Sequence, residues 1–241
     1  MKIILITLLA AILTVSTQAQ SVVITPQEKT YTRPKPIADF KKSFTVTYPK
    51  IKAATPALSR KIESAISYER NLGLKVKEEM AEVQWLEEAG FTEVYNSRGL
   101  LCVELFMSGS GAYPSGSTKT VVVNLKTGNR VKASDAFSNR GELAPRVKAM
   151  LKAEIEARIK ELKDDPEFRE DDPASLFQDK DFTTADLEEF SVDDKGVTFI
   201  YEYSFPHVIK AVEPDGRFHF SWREISAFIR RDGPFAQFVV R

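Results

Sequence analysis

Two strand-forming runs, with a small-residue segment between them and a tight turn after them, constrain this chain more than any other feature. Leu100 to Met107 is apolar and strand-like; Gly109-Ser110-Gly111-Ala112-Tyr113-Pro114-Ser115-Gly116 then reads as a glycine-bounded loop. Beyond it, Val121, Val123 and Leu125 share one face of a strand, and Lys126-Thr127-Gly128 turns the chain. Strand runs punctuated by glycine, proline and asparagine build hairpins, and hairpins build antiparallel sheets.

The same reading extends along the chain. Phe44-Thr45-Val46-Thr47-Tyr48 alternates apolar residues with threonines, a half-buried strand that Pro49 is expected to stop. Thr55-Pro56 opens a helix, with Leu58, Ile62, Ala65 and Ile66 as its apolar stripe. Lys75 to Glu88 reads as a charged helix, Phe91 to Tyr95 as a strand, and Asn96 to Gly99 as the turn into the Leu100 strand. Gly141 to Lys163 carries Leu143, Val147, Met150, Leu151, Ile155, Ile159 and Leu162 at helical spacing, and Pro145 fits that helix only in its first turn. Phe190 to Val192 and Val197 to Tyr203 flank Asp193-Asp194-Lys195-Gly196 as a second hairpin. Phe218 to Phe220 is a short strand, and Trp222 to Arg230 a closing helix. Elements cluster by type, so the class is α+β: an antiparallel sheet built from hairpins with two or three amphipathic helices packed against it.

The first residues read as a secretory signal. One positive charge at Lys2 precedes the apolar run Ile3 to Val15, and small and polar residues follow through Ala19. The run is shorter than the roughly 20 residues a spanning helix needs. A retained anchor is the alternative reading. The expected domains are therefore a signal peptide over 1–19, a polar, proline-bearing flexible linker over 20–40, and one α+β domain over 41–241. The expected location is the periplasm or outside the cell, with no integral membrane segment after cleavage. Loss of Lys2 would leave one more acidic than basic side chain, a balance that offers nothing to nucleic acid. Cys102 is the only cysteine, so no intramolecular disulfide can form, and about 220 residues suffice to fold on a hydrophobic core without one.

Chemistry is sparse. There is no G-x-S-x-G, no H-E-x-x-H and no phosphate-binding glycine loop, so no catalytic residues are assigned and the expectation is a protein that is not an enzyme. His207 and His219 are the only histidines, and neither has a local partner at metal-ligand spacing, so no metal and no cofactor is expected. His219 alternates with Phe218 and Phe220 and should face solvent. His207 follows Phe205-Pro206 at a strand end, where loops gather. Asp164, Asp165, Glu167, Glu170, Asp171 and Asp172 read as a solvated acidic loop, with weak cation binding as the other possibility. Tyr113 either projects as a recognition side chain or folds over the hairpin to cap the core. The candidate ligand-binding residues are Tyr113, Pro114 and His207.

The ordered set Tyr48-Pro49-Lys50-Ile51, the Tyr95 to Met107 hairpin, Gly111-Ala112-Tyr113-Pro114 and Asn124-Leu125-Lys126-Thr127-Gly128 resembles the DUF3298 family. Phe190 to Tyr203 with Pro206, and Phe218 to Phe228, are similar to that domain's closing half, so the resemblance covers about residues 41 to 230. Family members include the extracellular part of a lysozyme-binding anti-sigma factor and a domain accompanying some peptidoglycan deacetylases. The resemblance implies a binding module for an envelope protein, a lysozyme-like protein or peptidoglycan. An enzyme acting on envelope polysaccharide, or a structural subunit of an envelope assembly, are the alternatives. Many members carry Gly-Gly-Ala-His where this chain has Ser110-Gly111-Ala112-Tyr113, so a role resting on that histidine does not transfer.

Overall fold

The computed structural model describes residues 21–38, 40–111, 113–166 and 172–239. The expected signal segment and most of the acidic run, 167–171, lie outside the described residues. The fold is α+β. A six-stranded sheet runs in sequence order through β1 (Val23–Thr32), β2 (Ser43–Lys52), β3 (Leu86–Ser97), β4 (Leu100–Ser110), β5 (Pro114–Asn124) and β6 (Asn129–Arg130). All its pairings are antiparallel except β2 with β3, a short parallel contact at Thr45–Glu88 and Val46–Ala89. A second sheet, β7 (Phe190–Val192), β8 (Gly196–Ile200) and β9 (Arg217–Ser221), packs against the first through β7.

Helices cover what the sheets leave. α1 (Pro56–Ala65) starts as expected, with Thr55 Oγ1 accepting the Leu58 amide at 3.2 Å. Behind it come α2 (Tyr68–Leu72) and α3 (Val76–Ala81); α4 (Ala133–Ala136), the long α5 (Arg140–Asp164) and α6 (Trp222–Ile225) follow on the other side of the sheet. Pro145 sits in the second turn of α5 rather than the first, so the Gly141 carbonyl loses its helical donor.

Two cores share β4 and β5. Leu101, Val103, Leu105, Val121, Val123 and Leu125 face a core closed by α1 and α2. Leu100, Cys102 and Val122 face the other, where α5 and the small sheet meet an aromatic cluster. Phe137 lies 5.5–5.7 Å from Phe190, Phe199 and Phe235, in edge and tilted pairs worth ~0.5–1.5 kcal/mol each beyond their burial. Burial on both faces explains why Leu100 to Val103 is continuously apolar instead of alternating.

Three expectations are corrected. The segment read as a flexible linker over 20–40 contains β1, paired with β2 over ten residues. It escapes an apolar search because it is an edge strand with most side chains in water, and Pro26 and Lys29 are residues that edge strands tolerate. Likewise Pro49 does not stop β2, because it lies opposite Pro26. Neither proline has an N–H to give its partner, which fits a non-hydrogen-bonded pair. The charged stretch after Lys75 is helical only to Ala81, and β3 has begun by Leu86.

A buried clamp joins the β1–β2 connection to the start of β3. The fully buried Arg33 guanidinium donates to the Glu79 carbonyl at 3.1 Å, the Leu86 carbonyl at 2.7 Å and the Lys41 carbonyl, while its Nη2 lies 3.6 Å from Glu79 Oε2. Glu79 Oε2 in turn accepts the Leu86 amide at 2.9 Å. Deleting one member of such a pair strands the other without compensation. Arg33→Ala is therefore expected to lower the unfolding free energy by about 3–5 kcal/mol in urea denaturation. The double change Arg33→Met with Glu79→Leu should recover much of that loss. Equal losses in both variants would show that the charges do not act as a pair.

Candidate functional site

The β4–β5 hairpin outgrows its cores. Its register is unbroken from Leu100–Asn124 to Ser110–Pro114, so most of what the sequence offers as a glycine-bounded loop is paired strand. At the end of the hairpin the Gly111 amide donates to the Tyr113 carbonyl at 3.3 Å. Beyond Leu105 the side chains lose full burial, and Pro114 to Thr118 stand in solvent.

Trp85 braces this overhang. Its indole Nε1 donates to Ser115 Oγ at 3.1 Å, and its carbonyl accepts the Ser110 amide at 3.2 Å. That approach needs glycine at 109, where a Cβ would come within 2.1 Å of the Trp85 carbonyl oxygen. Trp85 is positioned by its neighbours: Gln84 accepts the Ile37 amide and donates to the Lys35 carbonyl, both at 2.8 Å, and Leu86 is held by the Arg33 clamp.

The facing wall is the segment from Tyr201 to Glu213. Tyr203 and Phe205 point into the aromatic core, leaving Glu202 and Ser204 outside, with Ser204 in a left-handed conformation at φ 54°. α5 fastens this segment from beneath. Glu154 accepts from Tyr203 Oη at 2.7 Å and from the Gly216 amide at 3.2 Å, and Arg158 donates to the Val212 carbonyl at 2.9 Å. His207 begins a short 3-10 helix running to Val212.

At the hairpin tip the two walls meet. The rings of Tyr113 and His207 stack with centroids 5.0 Å apart and planes inclined at 27°. Tyr113 is 63% exposed, so its ring is presented and does not cap the core. Pro114 is exposed as the first residue of β5. The structure thus brings the sequence-derived candidates Tyr113, Pro114 and His207 to one place, whereas His219 is elsewhere, exposed on β9 with Nδ1 3.1 Å from Thr198 Oγ1.

Between the walls lie two adjoining hollows of about 510 and 420 Å³ that share Thr118, Glu202, Ser204 and Lys210. Hydroxyls and charged groups dominate the smaller hollow, while Phe106 and Met107 add apolar wall to the larger. Arg217 bonds Glu104 at 3.1 Å and lies 3.8 Å from Asp215, Lys119 pairs with Glu189, and Lys210 pairs with Glu213. Carboxylates outnumber the basic groups along this groove. Sequence reasoning missed Trp85, Glu202 and Ser204. Glu202 and Ser204 carried a signal, being the polar members between alternating Tyr201, Tyr203 and Phe205.

Among the described residues, no group of three or more His, Cys, Asp or Glu side chains could hold a metal ion. No helix among them is long and apolar enough to cross a membrane. Cys102 is buried at the centre of β4, and desolvation pushes its thiol up to about 12. A raised value keeps the thiol protonated at neutral and mildly alkaline pH, and the thiolate is the reactive form. A disulfide reagent at pH 8 is expected to label Cys102 only on unfolding, with a labelling midpoint in urea matching that of the circular dichroism transition. Rapid labelling of the native protein would contradict the burial.

The two-sheet α+β fold has counterparts among solved structures. The crystal structure of a DUF3298 family member from Bacteroides fragilis superposes with a TM-score of 0.55 at 15% identity, covering 92% of this chain and 98% of that one. A DUF3298 family protein from Pseudomonas aeruginosa gives 0.54 at 12% identity, covering 88% and 95%. The chain therefore has the fold seen in DUF3298 family structures. No family model matches its sequence, and no curated protein does.

Proposed function

We propose that this chain is a DUF3298 family member working outside the cytoplasm as a non-catalytic binding module, and that its ligand is a glycan of the cell envelope. One observation carries the reading: the exposed Tyr113–His207 stack joins the same two segments whose neighbouring residues Ser117, Thr118, Glu202 and Ser204 line a groove. A sugar ring offers an apolar face of C–H groups and a rim of hydroxyls. An exposed aromatic suits the first, and side chains such as Glu202, Ser204 and Thr118 suit the second. The secretion-like segment at 1–19 supports the location. The ion pairs along the groove support binding over catalysis, because Glu104, Glu189 and Glu213 are already engaged by Arg217, Lys119 and Lys210.

The test is calorimetric titration of the purified protein with soluble peptidoglycan oligosaccharides. Tyr113→Ala is expected to weaken binding about tenfold, equivalent to ~1.4 kcal/mol, and His207→Ala to weaken it less. An unaltered affinity in both variants, or no binding by the parent protein, would overturn the proposal. Acetate release from acetylated glycan that disappears in Glu202→Gln would replace it with the enzyme reading. The family resemblance supplies a second reading in which the partner is a lysozyme-like protein, and Val208, 84% exposed next to His207, is the position that tests it. Val208→Asp should then abolish lysozyme capture and leave glycan affinity unchanged.

A further inference from the structure

A separate hollow lies where β2 and β3 part company. The two strands touch only at Thr45–Glu88 and Val46–Ala89, so the edge of β2 beyond Val46 faces helices instead of a strand. Several of its backbone groups are nevertheless taken. Tyr68 Oη donates to the Thr47 carbonyl at 2.6 Å, Glu63 Oε1 accepts the Ile51 amide at 3.0 Å, Ser59 Oγ accepts the Ala53 amide at 3.0 Å, and Pro49 has no N–H to satisfy. The Tyr48 hydroxyl is likewise engaged, 2.8 Å from that of Tyr31. Helix side chains thus close the strand edge chemically without filling the space beside it.

What remains is a hollow of about 520 Å³ walled by Tyr48, Pro49, Ile66, Tyr68, Leu74 and Val76. The Tyr48 and Tyr68 rings meet edge to face at 6.0 Å, so ring and aliphatic surface form the interior. The volume falls within the range of small-molecule sites, roughly 300–1,000 Å³. At the mouth, Lys50, Lys75 and Lys77 are matched by Glu63, Glu69 and Glu78, with Lys75 bonded to Glu78 at 2.8 Å and Lys50 3.7 Å from Glu63. A balanced rim exerts no net pull on either sign of charge, and the two tyrosine hydroxyls of the wall are already hydrogen-bonded within the protein.

We propose that this hollow is a second binding site, independent of the groove at Tyr113, and that it takes an uncharged apolar small molecule, an aromatic ring or short acyl chain. The driving force is burial of apolar area, and selectivity comes from the ring and aliphatic walls and the charge-balanced rim.

The probe is N-phenyl-1-naphthylamine, an uncharged aromatic amine whose fluorescence rises in apolar surroundings, titrated into the full chain. The expected result is a saturable rise with one site per chain. Val76→Trp, at the half-exposed mouth, and Leu74→Trp, deeper in, should each weaken it at least about tenfold by occupying the space, whereas Lys163→Trp at the far end of α5 should not. Circular dichroism establishes that each variant is folded. Should Leu74→Trp fail to fold, Val76→Trp alone decides. No saturable rise, or one untouched by the folded filling variants, overturns the proposal. The titration reads nothing from the Tyr113 groove, so its failure and the failure of glycan binding are separate results.

Discussion

The β4–β5 hairpin is the constraint on which the rest of this structure depends. Its inner half is buried on both faces, and because successive side chains on a strand point to opposite sides, one strand pair supplies the floor of two cores. A one-residue slip would exchange Leu101, Val103 and Leu105 with Leu100, Cys102 and Glu104, sending a carboxylate into the core closed by α1 and α2. Register is therefore fixed from both sides at once. With the inner half pinned, the outer half inherits the same register without needing a core of its own, and this is how an exposed turn acquires a defined position.

Position alone would leave the tip to fray, and the structure braces it at both walls. On one side the buried Arg33–Glu79 clamp holds Leu86, and the adjacent Trp85 grips Ser110 and Ser115. On the other, Glu154 and Arg158 of α5 tether the segment that carries His207. The Tyr113–His207 stack is thus the meeting point of two independently anchored walls. A single aromatic pair contributes only ~0.5–1.5 kcal/mol, too little to gather two long segments by itself. The anchors place the rings, and the stack adds to what they establish. Preorganisation of this kind lowers the ordering cost a ligand would otherwise meet.

What the sequence makes legible follows burial. The inner hairpin, the α1 cap at Thr55, the stripe of α5 and the β7–β8 hairpin all announce themselves, because one face of each must be apolar. β1 does not, since an edge strand with Pro26 and Lys29 in water has the composition of a linker. The extension of β2 past Pro49 was hidden for a related reason: a proline is harmless in a strand when its missing N–H would not have faced a partner. The site divides in the same way. Tyr113 and His207 stand out as residues placed where loops gather, but their stacking rests on long-range packing that no local pattern records. Glu202 and Ser204 resemble ordinary surface until the alternation of Tyr201, Tyr203 and Phe205 is laid on a fold that points those rings inward.

The central claim is that the hairpin and the Tyr201–Glu213 segment together present a ligand-binding surface around the Tyr113–His207 stack. Amide chemical-shift mapping by NMR, with soluble peptidoglycan oligosaccharides added stepwise, tests it most directly. The account predicts that the largest saturable shifts fall on Tyr113 to Thr118 and on Glu202 to Lys210, with the inner hairpin amides from Leu101 to Leu105 unmoved. Shifts confined to another surface, or none at millimolar ligand, would contradict it.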